Sequence, residues 1–262
     1  MNRVDKRRVR SAFSRSAAAY DARASVQRAV RERVLALVAE AAPRARRALD
    51  VGAGTGALLA RLAEARPALA AAAVDLAPGM CAATRAAVPR ALVATADAEA
   101  LPFRAASFDL VVSTSTFQWL PHLGPALAEA RRVLAPGGVL CAALFGADTL
   151  RELRDAWRAA AGPHAGARTH VFPARADLEA ALAASGLRAR AVVEDRLVEW
   201  HPDARAVLRS LKEVGASSAV PGRSGLGGRA ATIEMLRRYD ATHRTSRGVP
   251  ATYHVLVALA EW

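Results

Sequence analysis

Residues Leu49-Asp50-Val51-Gly52-Ala53-Gly54-Thr55-Gly56 read as a short strand running into a glycine-rich turn and then a helix. Glycines at 52, 54 and 56 let the backbone approach a ligand closely, and the helix that follows presents unpaired amides, as a nucleotide-type cofactor requires. The turn alone is ambiguous, because Gly52-x-Gly54-x-x-Ala57 also satisfies the alanine-ended dinucleotide fingerprint. Outward from it, short apolar runs alternate with helical stretches. Strands are expected at about 47–52, 71–76, 92–96, 109–114 and 139–145, with helices around 57–66, 79–88 and 122–134. This alternation marks βαβ units and a parallel sheet, and Pro136-Gly137-Gly138 reads as the turn between the last helix and the fifth strand.

Two acidic residues separate the cofactor classes. Asp75 ends the second strand, placed to accept both hydroxyls of a ribose, which either class needs. Asp97 ends the third strand within Ala96-Asp97-Ala98-Glu99-Ala100-Leu101-Pro102-Phe103, where it could read an adenine amino group between apolar neighbours. A dinucleotide enzyme has less need of this second acid. Ser107-Phe108-Asp109-Leu110-Val111-Val112-Ser113 and Arg131-Arg132-Val133-Leu134-Ala135-Pro136-Gly137-Gly138 follow in order.

With these segments together, residues 47–145 resemble the class I S-adenosylmethionine-dependent methyltransferases. The resemblance implies a Rossmann-like α/β fold with a seven-stranded, mostly parallel sheet whose last strand is antiparallel. It implies that Asp50, Gly52, Gly54 and Gly56 hold the methionine moiety of S-adenosyl-L-methionine, with Ser113 among the cofactor-binding residues. Asp75 takes the ribose, Leu76 and Met80 flank the adenine, and Asp97 with Ala98 meet its edge.

The flanks narrow the resemblance. Val9-Arg10-Ser11-Ala12-Phe13-Ser14-Arg15-Ser16-Ala17-Ala18-Ala19-Tyr20-Asp21 with Val26-Gln27, then Phe117-Gln118-Trp119, are similar to the malonyl-[acyl-carrier protein] O-methyltransferases of biotin synthesis. So are Thr149-Leu150-x-Glu152-Leu153-x-x-Ala156-Trp157, Leu208-Arg209-Ser210-Leu211-Lys212-x-x-Gly215-Ala216 and Thr252-Tyr253-His254. Ala53 stands where that family often has cysteine, Arg23 where histidine is frequent, and Ala251 where leucine is usual. Other methyltransferases of carboxyls or free small molecules, such as quinone precursors, share the core, so the substrate expectation rests on the flanks.

The expected organisation is an N-terminal helical cap over 1–40, an S-adenosylmethionine-binding α/β core over 41–200, a helical lid insertion over 201–248 and a terminal strand of the core sheet over 249–262. In the cap, Val9, Phe13, Ser16 and Tyr20 form one helical stripe leading into Val26, Val30, Val34 and Leu37. Beyond Phe145 the pattern gives a helix at 149–160, a Gly/Pro/His-rich loop, a helix at 177–185 and an alternating strand at 187–199. Helices interrupted by PGRSGLGGR follow.

The chain of 262 residues is long enough for one large α/β domain, and no apolar run reaches the ~20 residues of a membrane-spanning helix. Cys81 and Cys141 fall in a helix and a strand, which argues against a disulfide framework and leaves the cytoplasm as the default. The six scattered histidines show no i, i+3 or i, i+4 pair, so no metal is expected. Net charge is +13. Since Lys6 and Lys212 are the only lysines, 35 of the 37 basic residues are arginine. Genomic base composition explains that bias as readily as a partner does, but the sign favours an acidic partner. No nucleic-acid module or aromatic-basic interleaving is present.

The family's reaction moves the sulfonium methyl group onto the carboxylate of a malonyl thioester. That carboxylate is ionised at neutral pH, since such groups titrate near pH ~4, so no strong base is needed. The expected catalytic residues are Tyr20, Gln118 and Trp119, neutral donors that orient the carboxylate, and Lys212, a lid cation steering it. The resemblance implies an acidic acyl carrier protein as transient partner, with malonyl-CoA as an alternative thioester.

Overall fold

The computed structural model of the chain describes residues 4–161, 170–216 and 226–262. Its centre is one seven-stranded sheet built from β1 (Arg47–Val51), β2 (Ala70–Asp75), β3 (Leu92–Thr95), β4 (Phe108–Thr114), β5 (Leu134–Phe145), β6 (Arg188–His201) and β7 (Val249–Glu261). The order is β3-β2-β1-β4-β5-β7-β6. The first five strands are parallel, and β7 runs antiparallel between β5 and β6. The seven-stranded, mostly parallel sheet with an antiparallel last strand is therefore the one expected. Strand order reverses between β1 and β4, and in such sheets a ligand crevice opens at the carboxyl ends of the strands at that point.

Helices cover both faces: α1 (Lys6–Ser16), α2 (Tyr20–Arg23), α3 (Ser25–Ala41), α4 (Ala57–Ala65), α5 (Pro78–Ala87), α6 (Leu123–Val133), α7 (Arg151–Ala161), α8 (Arg175–Ala184), α9 (Ala204–Glu213) and α10 (Leu226–His243). One core packs Val26, Val30, Val34 and Val38 of α3 with Met235 and Tyr239 of α10 against Leu110, Val112 and Cys141 of the sheet. The other packs Leu127 and Ala130 of α6 and Leu178 and Leu182 of α8 against Leu49, Val111 and Leu140. Adjacent strand residues thus enter opposite cores, as the two-residue period requires. The β-strands buried on both faces read as continuous apolar runs for this reason.

Local chemistry sets the boundaries. Asp5 caps α1, its carboxylate accepting from the amides of Arg7 (2.9 Å) and Arg8 (3.3 Å). The stripe of Val9, Phe13, Ser16 and Tyr20 is divided by a 3-10 turn at Ala17–Ala19, and it continues on α3 through Val38, not Leu37, one helical turn beyond Val34. Pro136-Gly137-Gly138 does not precede β5 but lies inside it. Phe108 pairs with Leu134 and Leu110 with Val139, so these residues form a bulge, with Gly137 at φ +74° and its amide donating to the Trp262 carbonyl at 3.0 Å. Residues 217–225, which hold most of PGRSGLGGR, and residues 162–169 of the Gly/Pro/His-rich loop lie outside the described residues. The helix α10 takes Gly227 and Gly228 into its first turn.

The segment 201–248 contributes α9, which touches α2, and α10, whose Met235 and Tyr239 are fully buried and whose main neighbour is α7. The Tyr239 hydroxyl donates to the Pro250 carbonyl at 2.6 Å.

Two distant sequence motifs lock together behind the sheet. Thr149 Oγ1 donates to the His254 carbonyl (3.0 Å) and accepts from its amide (3.1 Å), while Leu150 N donates to the Thr252 carbonyl (2.6 Å). The buried carboxylate of Glu152 accepts from Thr252 Oγ1 (2.5 Å) and Thr252 N (3.2 Å). Thr252→Val deletes the hydroxyl donor beside this carboxylate, so denaturant unfolding should show a loss of about 1–3 kcal/mol, most of it restored by Thr252→Ser.

Candidate active site

Two cavities meet at the carboxyl ends of β1, β2 and β4. The first, of about 720 Å³, is lined by Lys6, Val9, Phe13, Tyr20, Gly52, Gly54, Asp75, Leu76, Met80, Asp97, Ala98, Thr114, Ser115, Thr116 and Trp119, among others. The second, of about 810 Å³, adds Asp21, Gln27, Arg28, Arg31 and Thr55. They share Tyr20, Gly52, Gly54, Thr114 and Ser115.

The glycine turn forms the floor. Gly52 has φ +75°, and a Cβ there would lie 2.1 Å from Thr116 Oγ1, so only glycine fits beneath β4. A Cβ at Gly54, by contrast, meets nothing within 4 Å, which leaves open space on the cavity side. Asp75 fixes the turn: Oδ2 accepts from Gly54 N at 2.9 Å and Oδ1 from Ala77 N at 2.8 Å. Burial raises its carboxyl to about 6 against the opposing pull of backbone bonds from Ala77, Gly54 and Leu76. Behind the turn, Asp50 is 1% exposed, neither of its oxygens has a hydrogen-bond partner, and burial with Asp75 nearby pushes it up to about 8.

The roof comes from the N-terminal helices. α1 rests on α5, where Gly79 N donates to Ser14 Oγ at 3.2 Å and a Cβ on Gly79 would stand 2.5 Å from the Ser14 carbonyl oxygen. Lys6 Nζ bonds Asp97 Oδ2 at 2.6 Å and also pairs with Glu99. On α2, Asp21 Oδ1 accepts from Thr55 Oγ1 at 2.9 Å, tying roof to glycine turn. Burial, with Asp75 and Asp21 nearby, raises the Tyr20 phenol above its ordinary value, so it stays a neutral donor. Phe13 packs edge-on against both Tyr20 (centroids 6.2 Å apart) and Trp119 (5.8 Å).

The structure thus gathers Tyr20, Gly52, Gly54, Asp75, Leu76, Met80, Asp97, Ala98 and Trp119 around the first cavity. It places five other expected residues elsewhere. Asp50 is sealed behind the turn. Gly56 caps α4 at φ +83° against Thr84. Ser113 Oγ donates to the Val51 carbonyl at 2.7 Å, a buried tie between β1 and β4. Gln118 is buried and lines a separate cleft with Phe117 and Phe172, while its carbonyl accepts from His170 Nε2 at 2.7 Å. Lys212 is exposed on α9, because Ala204, Val207 and Leu211 turn the other side of that helix inward. Among the described residues, nothing on α9 or α10 lines either cavity.

Sequence reasoning missed Lys6, Asp21, Thr55, Arg28, Arg31 and Thr114–Thr116. Lysine scarcity flags Lys6 as readily as Lys212. Ser115 is the other omission: it adopts φ +54°, uncommon for a side chain of this kind, its buried Oγ has no partner, and it borders both cavities.

These residues fit a sulfonium nucleoside. The open face of Gly54 suits its amino-acid end, Asp75 retains acceptor capacity toward the cavity, and Leu76, Met80, Val9 and Phe13 make an apolar slot beside Asp97.

Residues 49–142 match the methyltransferase domain family model. The malonyl-[acyl-carrier protein] O-methyltransferase of Geobacter sulfurreducens is 49% identical, over 98% of this chain and 99% of its own. The biotin biosynthesis bifunctional protein BioHC of Cellvibrio japonicus is 35% identical, over 96% of this chain and 49% of its own. Among solved structures, the YcgJ protein of Bacillus subtilis superposes with a TM-score of 0.59 at 16% identity, covering 88% of this chain and 98% of that one, which shows the shared fold. The chain belongs to the malonyl-[acyl-carrier protein] O-methyltransferases and is an S-adenosylmethionine-dependent methyltransferase.

Proposed function

We propose that the chain transfers a methyl group from S-adenosylmethionine to the free carboxylate of a malonyl group thioesterified to acyl carrier protein, giving the methyl ester that primes pimeloyl synthesis for biotin. The observation that carries this reading is the pair of cavities joined at Tyr20 and Ser115, one suited to the cofactor and the other open to a second reactant, in a chain 49% identical to a named relative over nearly its whole length.

Bound S-adenosylmethionine supplies an electrophilic methyl group on a sulfonium. The chain's own residues then have a modest task, because the attacking carboxylate carries its charge already. Asp75 takes the ribose hydroxyls, Asp97 and Ala98 the adenine edge, and Leu76 and Met80 its faces. Tyr20 and Ser115 stand at the junction as neutral hydroxyl donors. A neutral donor to one carboxylate oxygen orients the other without quenching its nucleophilicity, as a closely paired cation would. Trp119 and Phe13 exclude water around them. Arg28 and Arg31 line the second cavity and suit the entry of an anion. The free, buried cysteines Cys81 and Cys141 suit a reducing compartment such as the cytoplasm.

The purified protein should methylate a malonylated carrier, with one methyl gained on the malonyl group by mass spectrometry, and act far less on a quinone precursor. Equal rates on both would overturn the substrate assignment. Malonyl-CoA, run beside them, measures the preference for a carrier.

Tyr20→Phe keeps the ring and removes one donor, so kcat should fall about 10-fold or more with cofactor affinity by calorimetry within about 2-fold. Ser115→Gly relieves the left-handed backbone and should raise stability by about 1 kcal/mol while lowering kcat. For Asp50, the folded carboxyl titrates at about 8 and its unfolded reference is 3.8. Between those values the folded state keeps a proton that the unfolded state has released, so stability declines as pH rises through that window. The Tm of the parent should therefore fall more steeply from pH 4 to 8 than that of Asp50→Asn.

A further inference from the structure

The motif Leu208-Arg209-Ser210-Leu211-Lys212-x-x-Gly215-Ala216 is only half used by the fold. Its apolar members are: Leu211 is buried with Ala204 and Val207, and Gly215 approaches α1, where a built Cβ would lie 3.2 Å from Ser16 Oγ and 3.5 Å from the Phe13 ring. Its cations are not. Arg205, Arg209 and Lys212 recur at i, i+4 and i+7, so they form one stripe away from the buried face, and all three are exposed.

The stripe carries no acid of its own. Several surface arginines elsewhere are matched, Arg237 and Arg238 to Glu234, Arg175 to Glu179 and Glu194, Arg244 to Asp240 and Arg158 to Asp155, and what sets the stripe apart is three cations on one helix face beside the site's roof. Arg205, Arg209 and Lys212 have no ion-pair partner among the described residues, and the neighbouring Glu213 is taken by Arg23 of α2. The stripe also adjoins the site's roof. α9 contacts α2, whose Tyr20 borders both cavities, and its end abuts the turn of α1 that carries Phe13. Three unmatched cations on a rigid helix beside a cavity entrance form an electrostatic surface that neither the core nor the cavities require.

We propose that this face of α9 is the docking surface for an acidic face of the protein that carries the thioester, seating the carrier so that its substrate arm reaches the cavities past α2. The proposal rests on the substrate reading above and adds where the carrier sits. Lys212 then contributes to association and not to the chemistry. Charges at the rim of such an interface act mainly on encounter rate and specificity.

The test compares two triple variants with the same change in net charge. One is Arg205→Glu with Arg209→Glu and Lys212→Glu. The other is Arg44→Glu with Arg90→Glu and Arg104→Glu, three exposed arginines that precede β1, β3 and β4 and so lie at the opposite edge of the sheet. Fluorescence anisotropy with labelled malonylated carrier should show affinity about 10-fold weaker or more for the first variant and within about 2- to 3-fold of the parent for the second. KM for the carrier substrate should follow affinity, with kcat unchanged. Tm and the rate on malonyl-pantetheine, which has no protein to dock, should stay near parental values for both, which controls for folding. Equal losses in the two variants would reduce the stripe to a share of the general field and overturn the proposal, as would parental affinity in the first. Preferential binding of duplex DNA or anionic vesicles over the carrier, lost only in the α9 variant, would assign the face to another partner and overturn it too. A parent that binds the carrier but does not methylate it overturns the substrate reading while leaving the docking face measurable.

Discussion

The carboxylate of Asp75 holds two chain segments that otherwise have no reason to converge. One oxygen secures the glycine turn after β1, the other the start of α5, and the same residue lines the first cavity. It sits beside the reversal of strand order, where β1 has β2 on one side and β4 on the other and the turn has space to open. The glycine-turn floor and the entry of α5 are therefore held by one acid. Asp50, on the adjoining strand β1, adds a second carboxyl nearby, and two such groups in one low-dielectric region cannot both ionise without cost, which is why burial and proximity act on Asp50 together. An acid pair of this kind gives the turn a preference for a positively charged group.

The roof depends on longer-range contacts. Lys6 reaches Asp97 across 91 residues and Asp21 reaches Thr55 across 34, so the N-terminal helices are fastened to the cofactor floor at two points. An aromatic run then passes from Tyr20 through Phe13, Trp119, His170 and Phe172 to Phe145 and Tyr253. It connects the roof with the β5–β7 side of the sheet, where the Thr149 and Thr252 motifs interlock. The segments that distinguish this family from its relatives are thereby joined to one another physically as well as by sequence.

What was legible in the chain follows from the range of the forces involved. Alternating apolar runs and a glycine turn are local signals, and they placed all seven strands and put Asp75 and Asp97 at the strand ends that border the first cavity. The start of β5 was misplaced because Pro136-Gly137-Gly138 has turn chemistry and nothing local reveals a bulge. Ser113 and Ser115 show the limit at single-residue scale: the strand's alternation sends Ser113 toward Val51, and only the left-handed backbone at 115 turns the later serine to the cavity. Lys212 was legible as unusual but not as outward-facing, since that depends on which side of α9 the core claims. Lys6 reads as an ordinary first-turn lysine until Asp97 is brought to it.

The position of β7 has a consequence for how the molecule is made. It pairs with β5 on one side and β6 on the other, yet it is synthesised after both. While a ribosome is still delivering it, the long edge of β5 has no neighbour and β6 has no sheet to join, although the five parallel strands and the glycine turn are already available to fold. A nascent chain at that stage presents an open, apolar strand edge of the kind that recruits other chains. Completion of the sheet is thus a late, long-range event, and the cell's holding chaperones have a defined window, between emergence of β5 and emergence of β7, in which this protein most needs them.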